Sequence, residues 1–240
     1  MPNAYFEPGE RRAAKVEALF TRIARRYDLI NDLQSFGLHR RWKRRVVELS
    51  QAGAGLLALD VCCGTGDLAL GLAQAGCEVA GLDFTKEMLG VATERKAKSE
   101  RLRVPTFIRG DAQFLPFPAD TFDIVTVGYG LRNLADWEIG LREMARVAKP
   151  GGRLLVLEFG KPQNPIWRAI YFSYLKLFVP CLGLFFCGSA SAYSYILSSL
   201  KHYPAQEGVR DKMREMGLTN VRVISFLGGV MSVNYGERGA

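Results

Sequence analysis

Apolar and polar positions alternate in a regular order along the middle of the chain. Apolar runs typical of buried strands cover Leu56–Val61, Glu78–Asp83, Thr106–Arg109, Phe122–Val127 and Arg153–Phe159. Apolar residues at helical spacing fill three of the intervals between them: Leu68–Ala75, Lys86–Ser99 and Trp137–Val147. Strands that alternate with helices through short loops predict an α/β fold with a doubly wound, mostly parallel sheet and helices on both faces.

The two ends of the chain have different patterns. Apolar positions within Glu10–Arg26 and Arg40–Leu49 recur close to helical spacing and predict two N-terminal helices. Near the other end the pattern predicts a helix over Glu207–Met216 and two strands, Asn220–Phe226 and Met231–Tyr235. Two glycines at positions 228 and 229 indicate a tight hairpin between these strands. We therefore expect a seven-stranded sheet whose last strand is inserted antiparallel.

Residues 165–200 are dense in aromatic and aliphatic side chains. Within them the uncharged run Leu177–Cys187 is too short to span a bilayer, and Pro180 and Gly183 interrupt it. This segment has two alternative interpretations. One is a core helix that also forms a dimer contact, and the other is a lid at a membrane interface.

Charge adds a constraint on partners. The chain has 240 residues, with 32 Lys and Arg against 24 Asp and Glu, a formal net charge of +8. Such a balance favours acidic partners, either nucleic acid or anionic lipid. Much of the excess falls early in the chain, at Arg11, Arg12, Lys15, Arg22, Arg25, Arg26, Arg40, Arg41, Lys43, Arg44 and Arg45. A solvated helix face is the alternative interpretation of these positions.

The cysteines exclude two kinds of site. There are 5, two of them adjacent, and no Cys-x-x-Cys spacing occurs. Neither a disulfide framework nor a zinc site follows, and no metal is expected. The polar N-terminus carries no secretory signal, so we expect a reduced, cytoplasmic protein.

The stretch Asp60–Asp67 holds the most informative chemistry. It joins a predicted strand to a predicted helix through two glycines, which adopt backbone angles closed to other residues and let a ligand approach. Asp83 ends the next predicted strand, where its carboxylate is placed to bind the hydroxyls of a ribose. The pattern Gly64-x-Gly66-x-x-Ala69 also fits the dinucleotide fingerprint, so NAD is one candidate ligand.

Two features favour S-adenosylmethionine over NAD. Asp67 follows the second glycine, and a carboxylate at a helix N-terminus competes with a pyrophosphate for the same backbone donors. The antiparallel hairpin is also unusual for a nicotinamide-binding domain. Asp111 follows the third predicted strand, where it can accept a hydrogen bond from an adenine amine, and Ala112 leaves room for the ring. A loop turn is the alternative role for Asp111.

These motifs resemble class I S-adenosylmethionine-dependent methyltransferases. Two longer stretches are similar to the ubiquinone/menaquinone biosynthesis C-methyltransferases: Tyr27-Asp28-x-x-Asn31-x-x-x-Ser35-x-x-x-His39-x-x-Trp42, and Arg146-Val-Ala-Lys149-Pro150-Gly151-Gly152 leading to Glu158-Phe159. Gly130-Leu131-Arg132-Asn133 matches a further motif of that family, and the resemblance covers residues 5–237. It implies a helical cap over residues 1–50 and a methyltransferase domain over residues 51–240, with 165–200 as a substrate or lid insertion.

The chain departs from the family pattern at Ile30, Gln34, Gly128 and Gly160. Many members have a serine near the cofactor where Gly128 stands, so that side-chain contact is missing here. Residues 165–200 match least well, which leaves the identity of the quinone open. The cofactor-binding residues that the motifs and the resemblance imply are Asp60, Gly64, Thr65, Gly66, Asp83, Phe84, Asp111, Ala112 and Gly128.

The resemblance implies methyl transfer from S-adenosylmethionine to a ring carbon of a prenylated hydroquinone, either demethylmenaquinol or the benzoquinol of the ubiquinone pathway. The candidates for assisting deprotonation or stabilising charge at the acceptor ring are Arg132, Asn133, His202 and Tyr203. Of these, Arg132 and Asn133 are expected to face the cofactor. Arginine is a poor base, so Arg132 is expected to stabilise a phenolate or orient a water. His39 is a candidate for fixing the N-terminal helices over the site.

The expected partners follow from this hypothesis. They are the hydroquinone, an anionic membrane surface on the inner face of the membrane and a second copy of the chain in a homodimer; no nucleic acid is expected. A nucleic-acid methyltransferase is a rival, although the chain lacks an Asn-Pro-Pro-Tyr motif. A methyltransferase for another lipid-like acceptor and a non-catalytic quinone carrier are further alternatives.

Overall fold

The computed structural model describes residues 10–97, 104–187, 197 and 199–239. Its strands are β1 (Leu57–Val61), β2 (Glu78–Asp83), β3 (Thr106–Arg109), β4 (Phe122–Gly128), β5 (Ala148–Phe159), β6 (Thr219–Phe226) and β7 (Met231–Glu237). Its helices are α1 (Glu10–Ile23), α2 (Tyr27–Ser35), α3 (Leu38–Leu49), α4 (Asp67–Gln74), α5 (Lys86–Ala97), α6 (Trp137–Val147), α7 (Pro165–Cys187) and α8 (Ala205–Glu215). Short 3-10 turns cover Ala24–Arg26, Leu131–Asn133 and Leu227–Gly229.

The strands form one 7-stranded sheet in the order β3-β2-β1-β4-β5-β7-β6. Strands β1 to β5 pair in parallel, whereas β7 pairs antiparallel with both β5 and β6. The predicted doubly wound sheet and its antiparallel hairpin are therefore confirmed. The chain order reverses at β1, which lies between β2 and β4, and the carboxyl ends of these strands form the crevice where ligands of such sheets bind.

Side-chain alternation in the strands divides the core between the two faces of the sheet. On one face, Leu59 and Val61 of β1 pack in a cluster that includes Leu141 and Met144 of α6. On the other face, Ala58 packs in a cluster formed with α3 and α4 residues such as Val46. Strand β1 is buried along nearly its whole length, which explains its continuous apolar run.

The described part of the N-terminal region, from residue 10 to residue 50, contains three α-helices where the apolar pattern predicted two. The additional helix, α2, was hidden by its polar composition, but it buries Ile30 and Asn31. Phe36 and Gly37, with φ of 51° and 75°, adopt left-handed backbone and separate α2 from α3. The turn lets α3 pack against α4 and β5 while α2 packs against α7, so the three helices sit on the α/β domain rather than apart from it.

The expectation that Pro180 interrupts its segment is wrong, because α7 is one helix of 23 residues with Pro180 inside it. A proline inside a helix removes one backbone hydrogen bond, and packing of the helix on its neighbours offsets that loss. Tyr171, Leu175 and Val179, spaced at four-residue intervals, are buried on one face of α7. Among the described residues, no helix is both long enough and apolar enough to cross a membrane. Much of the remainder of the 165–200 segment lies outside the described residues.

Candidate active site

Buried Asp60 stabilises the loop from β1 to α4. Its carboxylate accepts hydrogen bonds from the Ala69 amide at 3.0 Å and the Thr126 hydroxyl at 2.9 Å. Burial raises the pKa of Asp60 to about 7, which the two hydrogen bonds partly oppose. Asp60 was predicted to bind the cofactor. Its side chain is buried, is not among the residues that line the cleft described below, and fixes the shape of the loop.

Two other predicted cofactor residues, Thr65 and Gly66, belong to this loop but are not among the residues that line the cleft described below. The Thr65 hydroxyl donates to Asp28 of α2 at 2.8 Å, so it faces the N-terminal helices. Gly66 precedes α4 with φ of 84°, and a β-carbon there would lie 2.9 Å from the ring of Phe107. Backbone angle and close packing therefore each require a glycine at this position.

The other six predicted cofactor residues line one cleft at the carboxyl ends of the strands. Together with the solvent at its open mouth, the cleft occupies about 760 Å³, and it is lined by Gly64, Asp83, Phe84, Asp111, Ala112 and Gly128, among others. Gly64 has φ of 55°, and a β-carbon there would meet no protein atom within 4 Å. The space beside this glycine is therefore open to a bound molecule.

Both carboxylate oxygens of Asp83 accept hydrogen bonds from backbone amides at the edge of the cleft. One accepts the Gly64 amide at 2.8 Å and the other accepts the Thr85 amide at 2.8 Å. Burial raises the pKa of Asp83, and these backbone hydrogen bonds oppose the rise. Each carboxylate oxygen has a second lone pair, so Asp83 can still accept from ligand hydroxyls. Asp111 closes its own turn by accepting the Gln113 amide at 2.8 Å, and it lines the cleft as well.

Helix α1, within the region expected to form a helical cap, forms one wall of this cleft. Val16, Glu17 and Phe20 line it, and Glu17 pairs with Arg109 at 3.0 Å. The basic, amphipathic pattern of α1 predicted a helix but gave no sign of which surface it covers. The cap region therefore contributes directly to the site.

Tyr129 is the main site residue that sequence reasoning missed. It lies directly after β4 with φ of 62°, an unfavourable backbone angle for a bulky residue. Its ring packs on Phe159 with a centroid distance of 5.6 Å, and the Lys43 ammonium lies 5.7 Å from its centroid. Its hydroxyl is buried with no hydrogen-bond partner among the described residues. One sequence feature could have indicated Tyr129, namely its place between Gly128 and Gly130 at the end of a predicted strand.

A second cavity, which we call the apolar chamber, lies on the other side of Tyr129. It lies between α2, α3, α7 and the Leu227–Gly229 turn, and together with the solvent at its open mouth it occupies about 940 Å³. Most of its lining is apolar, as the following residues show: Phe36, Leu38, Trp42, Phe159, Trp167, Ile170, Leu175, Val179, Leu227, Val230 and Met231. Tyr129 lines both the cleft and the chamber, so the two spaces adjoin at this side chain.

The structure separates the residues predicted to be catalytic. Asn133 lines the cleft and donates to the Tyr129 carbonyl at 2.9 Å. His202 is exposed and is not among the residues that line the cleft or the chamber. Tyr203, also considered for this role, is buried outside both cavities and packs against Trp137.

Arg132 does not face the cofactor cleft as expected, because it is turned inward to Glu158. The two side chains are buried and lie 3.4 Å apart, from Nε to Oε1. Arg132 also donates to the Tyr129 carbonyl at 3.2 Å and to Asn133 Oδ1 at 3.0 Å. Burial raises the pKa of Glu158, and the Arg132 charge opposes that rise. Arg132 therefore positions residues that line the site.

Comparison with known proteins identifies relatives over nearly the whole chain. The model of the ubiE/COQ5 methyltransferase family matches residues 9–238. A demethylmenaquinone methyltransferase of Staphylococcus aureus (strain JH9) is 39% identical over 227 residues, which cover 93% of each chain.

Solved structures with lower sequence identity share the fold. A SAM-dependent methyltransferase from Aquifex aeolicus superposes with a TM-score of 0.61 at 18% identity, over 88% of this chain and 97% of the other. A SAM-dependent methyltransferase from Thermotoga maritima, described as a possible histamine N-methyltransferase, gives a TM-score of 0.65 at 17% identity, over 92% and 99%. At these identities the likeness supports the class I methyltransferase fold alone.

Proposed function

This chain belongs to the ubiE/COQ5 methyltransferase family, and we propose that it methylates a ring carbon of a prenylated hydroquinone in respiratory quinone biosynthesis. It is an enzyme, and its cofactor is S-adenosylmethionine. The relative from Staphylococcus aureus favours demethylmenaquinol as the acceptor. The benzoquinol of the ubiquinone pathway is the second candidate.

The observation that carries this proposal is the apolar chamber beside the cofactor cleft. A prenylated hydroquinone has a long apolar tail and a ring with two hydroxyls, so its site needs an apolar lining with a few polar groups. The chamber combines these features, because its lining includes the buried hydroxyls of Tyr129 and Tyr171, which lack hydrogen-bond partners among the described residues. A polar ligand group would satisfy them, which buried polar atoms normally require.

The residues of the cleft fit S-adenosylmethionine. Asp83 has free lone pairs for the ribose hydroxyls, Asp111 lies where an adenine amine can donate to it, and Gly64 leaves open space beside the loop. When bound, S-adenosylmethionine supplies an electrophilic methyl group on its sulfonium. The chain's own contribution is to hold the acceptor ring next to that group, and alignment of two reactants can supply a large part of the barrier reduction.

The ring carbon of a phenol becomes a good nucleophile once the hydroxyl loses its proton. The negative charge then spreads to the ortho carbon, which attacks the methyl group. Arg132 supports this step from a distance, because it holds the Tyr129 carbonyl and Asn133 while its guanidinium stacks 5.0 Å from the Phe159 ring centroid. Phe159 and Tyr129 line the chamber, so Arg132 sets the position of its wall.

Labelled methyl transfer to demethylmenaquinol and to its benzoquinol counterpart, measured side by side, tests the proposal. Leu175→Trp fills the chamber from its buried wall, and Leu177→Trp, on the exposed side of the same helix, is the matched control. We expect the first variant to lose acceptor turnover at least about tenfold with unchanged affinity for S-adenosylmethionine. Binding of the cofactor without transfer to either quinol would instead favour another lipid-like acceptor or a non-catalytic role.

A second candidate role, attachment to an anionic membrane surface, is supported by the rim of the chamber. Phe36, Ile170 and Leu227 line the chamber and are more than half exposed, at 75%, 54% and 51%. Arg40, on the neighbouring helix α3, is exposed, although it pairs with Asp32. An exposed apolar rim suits an interface from which a bilayer-resident acceptor enters, and basic residues close to it would add attraction to anionic lipid.

Co-sedimentation with anionic vesicles at low and high salt tests the membrane proposal. We expect binding that weakens as salt rises, with about 1 kcal/mol for each basic residue close to the surface. Absence of binding at low salt would rule it out. The homodimer remains a prediction, and sedimentation of the same protein without lipid tests it.

A further inference from the structure

His39 and Asp32 form a hydrogen-bonded pair at the wall of the apolar chamber. His39 of α3 is buried, with its side chain 3% exposed, and its Nε2 lies 2.8 Å from Asp32 Oδ1. Arg40 donates to both oxygens of the same carboxylate, at 2.8 and 2.6 Å. These hydrogen bonds from Arg40 are the main reason that the pKa of Asp32 is lowered, so Asp32 is an ionised acceptor at neutral pH.

This arrangement fixes the tautomer of the imidazole. An ionised carboxylate only accepts hydrogen bonds, so Nε2 of His39 must be the nitrogen that carries the proton. Nδ1 of a neutral His39 then holds a lone pair. Nδ1 is buried and has no hydrogen-bond partner among the described residues. A buried acceptor without a donor is costly, and a ligand hydroxyl would satisfy it.

The position of the ring points to the donor. His39 lines the chamber together with Tyr129 and Tyr171, whose hydroxyls are also buried and without described partners. Asn31 also lines the chamber, and its Nδ2 is likewise buried without a described partner. Four unsatisfied polar groups within one apolar cavity suit a ring that carries hydroxyls. We propose that His39 is the catalytic base that removes the hydroxyl proton of the acceptor, with Asp32 as the positioning residue that orients it. This inference rests on the proposed function, because it takes the chamber as the hydroquinone site.

Burial keeps His39 neutral, so its ring nitrogen is free to accept a proton. Burial is the main reason that the pKa of His39 is lowered; the Lys43 charge adds to this, while Asp32 and Asp67 oppose it. His39 lines a neighbouring polar pocket as well as the chamber. The ionisable groups around the ring and the two spaces are Asp28 and Asp32 of α2, Arg40, Lys43 and Arg44 of α3, Asp67 of α4, Arg95 of α5, Tyr129 after β4, and Tyr171 and Tyr174 of α7. A neutral imidazole at physiological pH can accept a proton directly.

The proposed step is balanced without an added oxidant or reductant. The acceptor O–H bond breaks, a new N–H bond forms at Nδ1 of His39, and the imidazolium that results pairs with the Asp32 carboxylate. The electron pair left on oxygen shifts through the ring to the ortho carbon, where the new C–C bond to the methyl group forms as the C–S bond breaks. That carbon then loses its hydrogen as a proton while the oxygen regains one, so one proton is released overall.

The other candidates for the base fit less well. Arg132 has a guanidinium that does not lose its proton in proteins, and it pairs with buried Glu158. His202 is exposed and is not among the chamber-lining residues. The chain contains only 2 histidines, so a histidine titration in the reaction must belong to one of them.

The test uses His39→Gln, because the glutamine amide can still donate to Asp32 while it cannot accept a proton as imidazole does. His202→Gln is the rival variant, and Asp32→Asn keeps His39 but removes the charge that fixes its tautomer. The probe is 4-methoxy-1-naphthol, a ring with one free hydroxyl, kept under anaerobic conditions. Its binding is titrated by fluorescence, and its ionisation on the protein is followed by naphtholate absorbance without S-adenosylmethionine.

We expect His39→Gln to bind the naphthol and S-adenosylmethionine like the native protein while turnover falls at least about 100-fold. The naphtholate band should appear only at higher pH, and the acidic limb of the rate profile should disappear. His202→Gln should keep that limb, and Asp32→Asn should lose both turnover and the low-pH naphtholate band.

Three outcomes would overturn the inference. Native turnover and native naphthol ionisation in His39→Gln would exclude His39 as the base, as would loss of the acidic limb in His202→Gln alone. In both cases intact naphthol binding leaves the chamber assignment standing. If the native protein does not bind the naphthol at all, the chamber is not the acceptor site, and the proposed function and the base fall together.

Discussion

Lys43 of α3 donates to Asp67 at the start of α4, with Nζ and Oδ2 2.7 Å apart. Arg95 of α5 pairs with the same Asp67 and, at 3.0 Å, with Asp28 of α2. Burial alone would raise the pKa of Asp67, but the Lys43 and Arg95 charges lower it to about 2. The carboxylate that suggested a cofactor without phosphates thus ties two N-terminal helices to the cofactor loop.

Lys43→Met should loosen this connection. An Asp67 pKa depressed below its ordinary value stabilises the fold above about pH 4, and this contribution is lost as pH falls towards 2. At pH 7 we expect the variant to lose about 1–2 kcal/mol of unfolding free energy in urea and to bind S-adenosylmethionine several-fold more weakly. Arg44→Met, at the exposed neighbouring position, is the control. Equal stability of the two variants would contradict the prediction.

Gly130→Ala should disrupt the cleft because of its closeness to Cys62. A β-carbon at position 130 would overlap the Cys62 β-carbon and lie 2.9 Å from its Sγ, and both residues line the cleft. We expect a loss of about 1–3 kcal/mol with reduced cofactor affinity. Cys62→Gly removes the colliding atom and suits the φ of 54° at that position, so the double variant should recover most of both losses. A thermal-unfolding double-mutant cycle measures the coupling, and additive effects would contradict it.

The main effect of Arg132→Met should be a loss of fold stability rather than a direct effect on methyl transfer, because the substitution leaves buried Glu158 without its cation. Removal of one partner of a buried ion pair costs about 3–5 kcal/mol. The pKa of Glu158, already raised by burial, should rise further, so the variant should be more stable at pH 5 than at pH 8. Adding Glu158→Gln should restore stability and remove this pH dependence. A stable single variant that merely lacks turnover would indicate direct contact with the acceptor.

Asp83→Asn should weaken binding of S-adenosylmethionine while it preserves the loop. The amide oxygen can keep one of the two backbone hydrogen bonds, from Gly64 or Thr85, but the charge is lost. Hydrogen bonds to charged groups contribute about 1.5–3 kcal/mol, so we expect calorimetry to show affinity reduced about 10- to 100-fold. Glu94→Gln, at an exposed position on α5, controls for the change in net charge. Unchanged affinity would exclude Asp83 from the cofactor site.

Asp60 should make the protein less stable as pH rises towards neutrality. Its pKa in the fold, about 7, lies above the ordinary value of 3.8, so the folded state binds more protons between these values. Stability then falls across this window, by about 2–4 kcal/mol in all. Asp60→Asn is uncharged and should lack this contribution. Urea unfolding at pH 5 and pH 8 measures it, and identical pH dependence in the two proteins would be the contrary result.

Sequence reasoning was most successful where local pattern and backbone geometry coincide. The bounds of β2, β3 and α6 agree with their predictions, and those of β1 and β4 agree within one residue, because apolar runs and turn glycines are properties of short segments. Helix α2 was missed because its polar positions face a cavity and neighbouring charges rather than solvent. Pro180 was misjudged because packing along α7 outweighs the local preference of proline to end a helix.

The sequence by itself determined the α/β alternation, the glycine loop with its acidic neighbours, and the family. It also determined that Gly64, Asp83, Phe84, Asp111, Ala112 and Gly128 share one cleft, because strand ends of a parallel sheet converge at one edge. Tertiary structure alone decided which side chains turn away, such as Arg132 towards Glu158, and which polar atoms remain unsatisfied in the apolar chamber. Those properties depend on contacts between residues far apart in the chain, and no local pattern contains them.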